Sequence, residues 1–462
     1  MTRKTFVALG LVGGMIVSML AWPSSLYGET IELKLRTIAD SKNSSAQLEK
    51  TLQMTESQHL LCYIDNGKKA PTRQENVFKA RAKKEPKYLC STPVKGIAKL
   101  GSREYLIAFD STDPQKQGFD RLYFDANRNG NLTDDPVIEA IPEKLDDSTK
   151  DRNFPRQELT IEVDDANYKT LISVSMRSRT DSKGAVNYAN GQLTNHVYRE
   201  GTLTLEGKSH QVFVLDYDNN GRFDSATKLT TDDTLSVPTC DMILVDPALS
   251  KKIGRSPLYS ADRHYLSKLL NINDRYYTVQ ITPTGDQLTV EPANLPMGAV
   301  TNPSDPYRAA LFSKEHGFIR ITGQKDLAVP VPAGPWQLVE YRITASEQPE
   351  PSASPSTKKS TARSSAPEAR IDGNATKKTR PVVVKEDQTE TLPFGPPYRT
   401  VVSAEASDSR LSTIRLNLEF VGTGNDVVDN IILESGRPKE LPAFKILNKA
   451  GKLVHEGKIE YG

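Results

Sequence analysis

Hydrophobic residues along this chain alternate with polar ones far more often than they recur at helical spacing. From Thr30 to Arg36, Ile31, Leu33 and Leu35 are set between polar or charged neighbours, the period-two pattern of a half-buried strand. The same reading predicts strands at 159–163, 171–176, 276–282 and 287–291, the last two flanking the turn sequence Pro283-Thr284-Gly285-Asp286. Gly96-Ile97-Ala98-Lys99-Leu100-Gly101 leads into 105–110, and Gly201-Thr202-Leu203-Thr204-Leu205-Glu206-Gly207 leads into 211–216. Each is an alternating strand, a glycine turn and an apolar strand that ends on Asp110 or Asp216, the grammar of a hairpin with one buried face. Residues 317–323 repeat the first half. Duplicated β units and shared hairpin grammar both account for the likeness.

Helical signals are few. Ser44-Ser45-Ala46-Gln47 has the residue types of a helix start, which predicts a helix over 48–61, and a short helix is expected around 262–270. Residues 346–390 contain no aromatic residue, one Ile and three Val among abundant Ser, Pro, Thr, Lys, Arg and Glu. Such a segment has too little apolar area to offset its ordering entropy, so a disordered linker is expected. Strands resume at 414–420, 444–447 and 453–461, with Asn448-Lys449-Ala450-Gly451 as the turn between the last two.

At the N-terminus, Arg3 and Lys4 precede an apolar run of about fifteen residues, 6–20, the length of a secretory signal rather than a membrane span. Cleavage after Ala21 and after Gly28 both suit the flanking residues; an uncleaved anchor is the competing reading. The expected organisation is a signal peptide over 1–28, a strand and helix segment over 29–92 and a β region over 93–250. A sandwich-like domain over 251–345, the linker over 346–390 and a β module over 391–462 follow. The fold class is mainly β: several sandwich-like antiparallel units with few short helices and a disordered linker.

Composition narrows the function. Sixty basic residues stand against fifty-eight acidic ones with no basic concentration, which sets nucleic acid aside as a partner. Only three cysteines occur. Cys62 and Cys90 either pair in an oxidising compartment or remain free with Cys240. No later segment is long and apolar enough to span a membrane, so after signal removal the chain is expected to be secreted or periplasmic.

Two loops carry the chemistry. Asp125-Ala126-Asn127-Arg128-Asn129-Gly130-Asn131-Leu132 is followed, ninety-one residues later, by Asp216-Tyr217-Asp218-Asn219-Asn220-Gly221-Arg222-Phe223. Alternate oxygen-bearing side chains on a tight turn converge on one centre, glycine permits the bend, and the apolar position anchors the loop. This resembles the calcium loops of EF-hands, dockerins and thrombospondin-type repeats, and the chain looks like envelope-associated bacterial β proteins that carry such loops. The resemblance implies Ca2+ ligands at Asp125, Asn127, Asn129 and the Asn131 carbonyl, with Asp134 or Asp135 completing the first site. In the second it implies Asp216, Asp218, Asn220 and the Arg222 carbonyl, with Asp224 directly or through water. The twelfth loop position holds Pro136 or Thr227 instead of an acid, so Asp232 or Asp233 is a candidate to help, and the expected affinity is weak. An ordinary Asn-Gly hairpin turn is the competing reading. A third resemblance lies in Val329-Pro330-Val331-Pro332-Ala333-Gly334-Pro335 before a strand at 336–343, which is similar to the last turn and strand of prealbumin-like sandwich modules.

No histidine pair, nucleophile elbow, phosphate loop or zinc-protease signature is present. The expectation is an exported calcium-binding structural or adhesive protein of the cell envelope that binds a surface protein or a polysaccharide. The alternative is a secreted carbohydrate-active hydrolase, whose carboxylate pair leaves no local signature. A sugar-binding module is a third reading, and two tryptophans, one of them inside the signal, supply no aromatic row for it.

Overall fold

The computed structural model describes residues 28–38, 57–66, 72–142, 149–183, 185–231, 235–236, 240–247, 263–304, 306–344, 369–406, 414–432 and 443–458. The signal segment therefore lies outside the described residues except for Gly28, and so do Asp232 and Asp233.

The described residues are mainly strand, arranged in open sheets that are antiparallel apart from one parallel pairing of Met297–Thr301 with Thr389–Thr391. Four sheets feed the largest core. One is a meander through Leu61–Ile64, Val94–Leu100, Arg103–Asp110, Arg121–Phe124 and Ile138–Glu139. A second joins Gln157–Val163, Ala166–Thr180 and Val186–Asn195, and a third runs Arg263–Tyr265, Met242–Val245, Lys208–Leu215, Val197–Leu205, Lys34–Thr37. The fourth sets Glu29–Glu32 beside Gln287–Pro292, Arg275–Ile281 and Leu269–Ile272. Period-two alternation decides what each strand buries: Val212 and Val214 face the main core, whereas Phe213 and Leu215 join Tyr198, Met242 and Leu244 on the other side of their sheet.

A second core gathers Val300, Tyr307, Leu311, Ile321, Trp336, Tyr341 and Phe394. It lies under an extended sheet in which Gly317–Gly323, Tyr307–Ser313, Gly334–Thr344, Arg370–Asn374, Val427–Ile432, Ile414–Val421 and Arg399–Ala406 are neighbours in that order.

Several expectations give way. The helix expected over 48–61 is not seen in its described part, where Gln58–His59 and Leu61–Ile64 are strands paired to Gln192–Leu193 and to Val94–Ile97. Cross-strand partners hold these residues extended. Residues 48–56 of that expected helix lie outside the described residues; a helix is described at Arg73–Arg81, where the Thr72 side chain accepts from the Glu75 amide at 3.2 Å and Phe78 is buried. Around 262–270 the chain forms strands Arg263–Tyr265 and Leu269–Ile272, because Leu269 and Leu270 alternate between two cores.

The linker reading over 346–390 fails from Arg370 onward. Arg370–Asn374 is paired on both edges, by Gly334–Thr344 and Val427–Ile432, and Val382–Val384 pairs with Gly334–Trp336. The boundary at 250 also moves. Leu270, Tyr277, Leu288 and Val290 belong to the main core, so the first unit runs on to about 292. Among the described strands after 391, those at 399–432 share a sheet with the strands at 307–344, and the hairpin Ala443–Leu447/Leu453–Lys458 pairs with itself alone. All three cysteines are free thiols.

Candidate metal centre

Both acidic loops fold the same way. Asp125 accepts the amides of Asn129 (3.1 Å) and Gly130 (3.0 Å), and Asp216 accepts those of Asn220 (3.0 Å) and Gly221 (2.8 Å). The fourth and sixth positions are left-handed in each: Arg128 and Gly130, Asn219 and Gly221. A side chain at Gly221 would collide with the Gly101 amide at 2.7 Å and Ile161 at 2.8 Å, so the glycine is required by space as well as by φ. Leu132 and Phe223 are the buried anchors that the pattern predicts.

The loops differ in what lies opposite their first aspartate. Phe124 pairs with Ile107, so Asp125 falls across from Leu106, whose carbonyl accepts the Asp125 amide at 3.0 Å. Leu215 pairs with Met242, so Asp216 falls across from Asp241. Carboxylate oxygens of Asp216, Asp218 and Asp241 consequently lie within 4.8 Å of one another, and Asp216 and Asp241 are 1% and 0% exposed.

Backbone and amide donors hold these three groups in place. Asp216 also accepts from the Asn195 side chain at 2.7 Å; Asp218 accepts the Asn220 amide at 3.2 Å and its side-chain nitrogen at 2.9 Å. Asp241 accepts the amides of Tyr217 (3.2 Å) and Ser225 (2.7 Å), tying both ends of the loop to the next strand. Among the described residues no Lys, Arg or His forms an ion pair with any of the three. Burial, and then the Asp218 charge, pushes the Asp216 carboxyl well above its ordinary range; burial followed by the charges of Asp216 and Asp218 does the same to Asp241. Asp218 is raised by burial.

Other expected ligands fall elsewhere. Asp224 is gripped by the Arg222 guanidinium (2.7 and 2.8 Å), which also reaches Asp164 at 2.8 and 3.1 Å. In the first loop, Asn127 and Asn129 turn their side-chain nitrogens to Asp134, at 3.5 and 2.7 Å, and Asn131 accepts from Thr133. Asp135 lies close enough to Asp125 and Asp134 for their charges to add to the burial that raises its carboxyl, and its Oδ2 is buried with no partner among the described residues. The first loop thus brings Asp125 and Asp135 together, and the second brings Asp216 and Asp218 together with Asp241, which the sequence reading missed. Its signal was present: Asp241 opens the apolar run Met242-Ile243-Leu244-Val245, and pairing that run antiparallel with 212–215 sets the two aspartates side by side.

A second ionic cluster lies beside the meander sheet. The buried Lys95 ammonium binds Asp65 at 2.8 Å and Glu85 at 2.6 Å over the Tyr88 ring. Comparison of the chain with protein-family models, curated proteins and solved structures finds no match.

Proposed function

We propose that Asp216, Asp218 and Asp241 hold a calcium ion that fastens the 216–225 loop to the strand Met242–Val245. We propose further that the protein is an exported structural or adhesive component of the cell envelope, binding a surface protein or a polysaccharide. The observation that carries the ion is the buried Asp241 carboxylate opposite Asp216. Two carboxylates about 5 Å apart repel by roughly 3 kcal/mol at an effective dielectric near 20, and a divalent cation between them reverses the sign. The donor set is all oxygen, without His or Cys, which suits a hard cation. Oxygens that ligate one calcium at 2.3–2.6 Å lie within about 5.2 Å of each other, the scale of this cluster. Magnesium requires a tighter octahedron and sheds water reluctantly.

Thermal melting tests the ion. A site with Kd near 0.1 mM stabilises the native state by roughly 2.7 kcal/mol in 10 mM calcium. Asp241→Asn is expected to abolish that calcium-dependent gain and to lower the melt in chelator as well, since its amide nitrogen would face one of the two backbone donors, Tyr217 or Ser225, that the carboxylate accepts. Equal wild-type melting in excess calcium and in chelator means that both loops are ordinary Asn-Gly turns. Export rests on the apolar run at 6–20. N-terminal sequencing of protein from its native host is expected to begin at Trp22 or Glu29, and retention of Met1 in the membrane fraction supports an anchor instead.

A further inference from the structure

Lys95 lies inside the strand Val94–Leu100, with Tyr63 opposite it on one neighbouring strand and Ala108 on the other. Antiparallel pairing runs on past Ile64, where the Asp65 amide donates to the Pro93 carbonyl at 2.9 Å. Residues two apart share a face of the sheet, so Asp65 projects beside the Lys95 side chain. Lys95 Nζ lies 2.8 Å from Asp65 Oδ2 and 2.6 Å from Glu85 Oε2. The Tyr88 hydroxyl donates to that same Glu85 oxygen at 2.9 Å. Lys95 is 5% exposed, and the rings of Phe78 and Tyr88 stand 5.9 and 4.8 Å from its nitrogen.

A salt bridge needs one acid, and this lysine has two in different settings. Asp65 is fixed by its backbone to the strand that carries Lys95, so amine and carboxyl are held on one frame. Glu85 comes from the segment between the helix and that strand, and Tyr88 orients it. An amine, a carboxyl carbon and a proton carrier are the three parts of an amide condensation. The 2.8 Å contact sets the Asp65 Cγ about 3.5 Å from the nitrogen, a near-attack separation. Water is kept from the nitrogen, whereas the Asp65 and Glu85 side chains are 26% and 30% exposed, so a released water has a way out. Burying an ammonium costs free energy that its ion pairs only partly return, and an amide has no charge to bury.

We propose that Lys95 and Asp65 condense to an intramolecular isopeptide bond, with Glu85 carrying the protons. Glu85 takes one proton from the ammonium and passes it to the Asp65 carboxylate, which leaves an amine and an acid. The nitrogen lone pair attacks Cγ, and the N–C bond forms. Glu85 then moves a second proton from nitrogen to the departing hydroxyl, the C–O bond breaks, and water leaves. Nothing is oxidised or reduced, and Glu85 ends as it began. The bond closes the chain from 65 to 95, including the helix Arg73–Arg81, in a protein whose three cysteines form no disulfide. It depends on neither the ion nor export.

The test is the mass of the full chain, purified in chelator, reduced and denatured, against the mass its sequence requires from the N-terminus found. Most of the protein is expected to be lighter by one water. Tryptic digestion is expected to give 51–68 joined to 88–99, uncut after Lys95. Lys95→Met and Asp65→Ala are expected to restore the full mass. Glu85→Gln keeps both reacting groups and is expected to lower the linked fraction at least tenfold at matched age, with circular dichroism like that of wild type. The linked peptide is read in wild type, so a variant that fails to fold does not shield the proposal. Wild type at full mass, with no linked peptide, overturns it. So does a water loss confined to 51–68, which is a cyclic imide at Asp65 and not a link between strands. Linkage of Lys95 to Glu85, or an undiminished linked fraction in Glu85→Gln, overturns it as well.

Discussion

At the scale of single residues, the position opposite a side chain matters as much as the motif containing it. Asp125 and Asp216 open loops of matching backbone geometry, yet Asp125 faces Leu106 while Asp216 faces Asp241. The loop conformation was legible because Asp-x-Asn/Asp-x-Asn-Gly encodes its own amide acceptors and its left-handed glycine. The fate of Asp224 was not, because Arg222 is two residues away and captures it with two hydrogen bonds. Histidine gives the pH dependence at this scale. Burial, and then the Arg320 charge, lowers the His264 ring from 6.5 to about 3. Below pH 6.5 the unfolded chain takes up a proton that the folded chain refuses, so stability falls as pH falls through this window. The slope is up to about 1.4 kcal/mol per pH unit for one proton. Denaturant titrations of wild type and His264→Gln in saturating calcium are expected to diverge steadily between pH 6.5 and 4, with wild type losing more. Parallel curves mean that His264 titrates normally in the fold.

Among elements, strands were legible and helices were not. The alternation at 317–323 matches Gly317–Gly323, and the turn at 283–286 places Gly285 at φ 71°, where glycine is favoured. The start at Ser44–Gln47 lies outside the described residues, whereas the helix at Arg73–Arg81, capped by Thr72-x-x-Glu75, went unread in the sequence. That helix has buried Phe78 and little else to hold it, so its cap carries weight. Thr72→Ala is expected to cost about 1 kcal/mol. Urea melts followed by helix-sensitive circular dichroism check this, and Thr72→Ser is expected to recover most of the loss; no change for Thr72→Ala means that tertiary contacts alone place the helix. The segment beyond Arg370 was misread for a related reason. Composition averages over a window, and Ile371 with Val382-Val383-Val384 is diluted by the Ser, Pro and Lys that surround it. A strand of five residues flanked by partners on both edges needs few apolar side chains, because its backbone bonds are satisfied by its neighbours.

For the whole molecule, the cores set how far a bound ion makes itself felt. Val212, Val214, Ile243 and Val245, on the two strands that carry Asp216 and Asp241, belong to the main core. Trp336 is wholly buried in the second core and stacks on His316 with ring centroids 5.7 Å apart. The two cores meet at the Leu269–Ile272 and Arg275–Ile281 strands, which give Leu270 and Tyr277 to one and Leu269 and Tyr276 to the other. Tyr265 also packs edge-on against Phe318 and the Phe318 amide donates to Ser267, so the joint is made of several contacts, and multi-core chains often depart from two-state unfolding. Trp22 is the only other tryptophan, so in protein processed at Gly28 tryptophan fluorescence reports the second core alone, while circular dichroism of the sheets reports both. Calcium is therefore expected to raise part of the circular dichroism transition and leave the Trp336 fluorescence transition where it is in chelator. Asp241→Asn is expected to remove that separation. If calcium moves both probes together, the strands at 269–281 join the cores into one cooperative unit, and the ion stabilises the whole chain rather than the half that binds it.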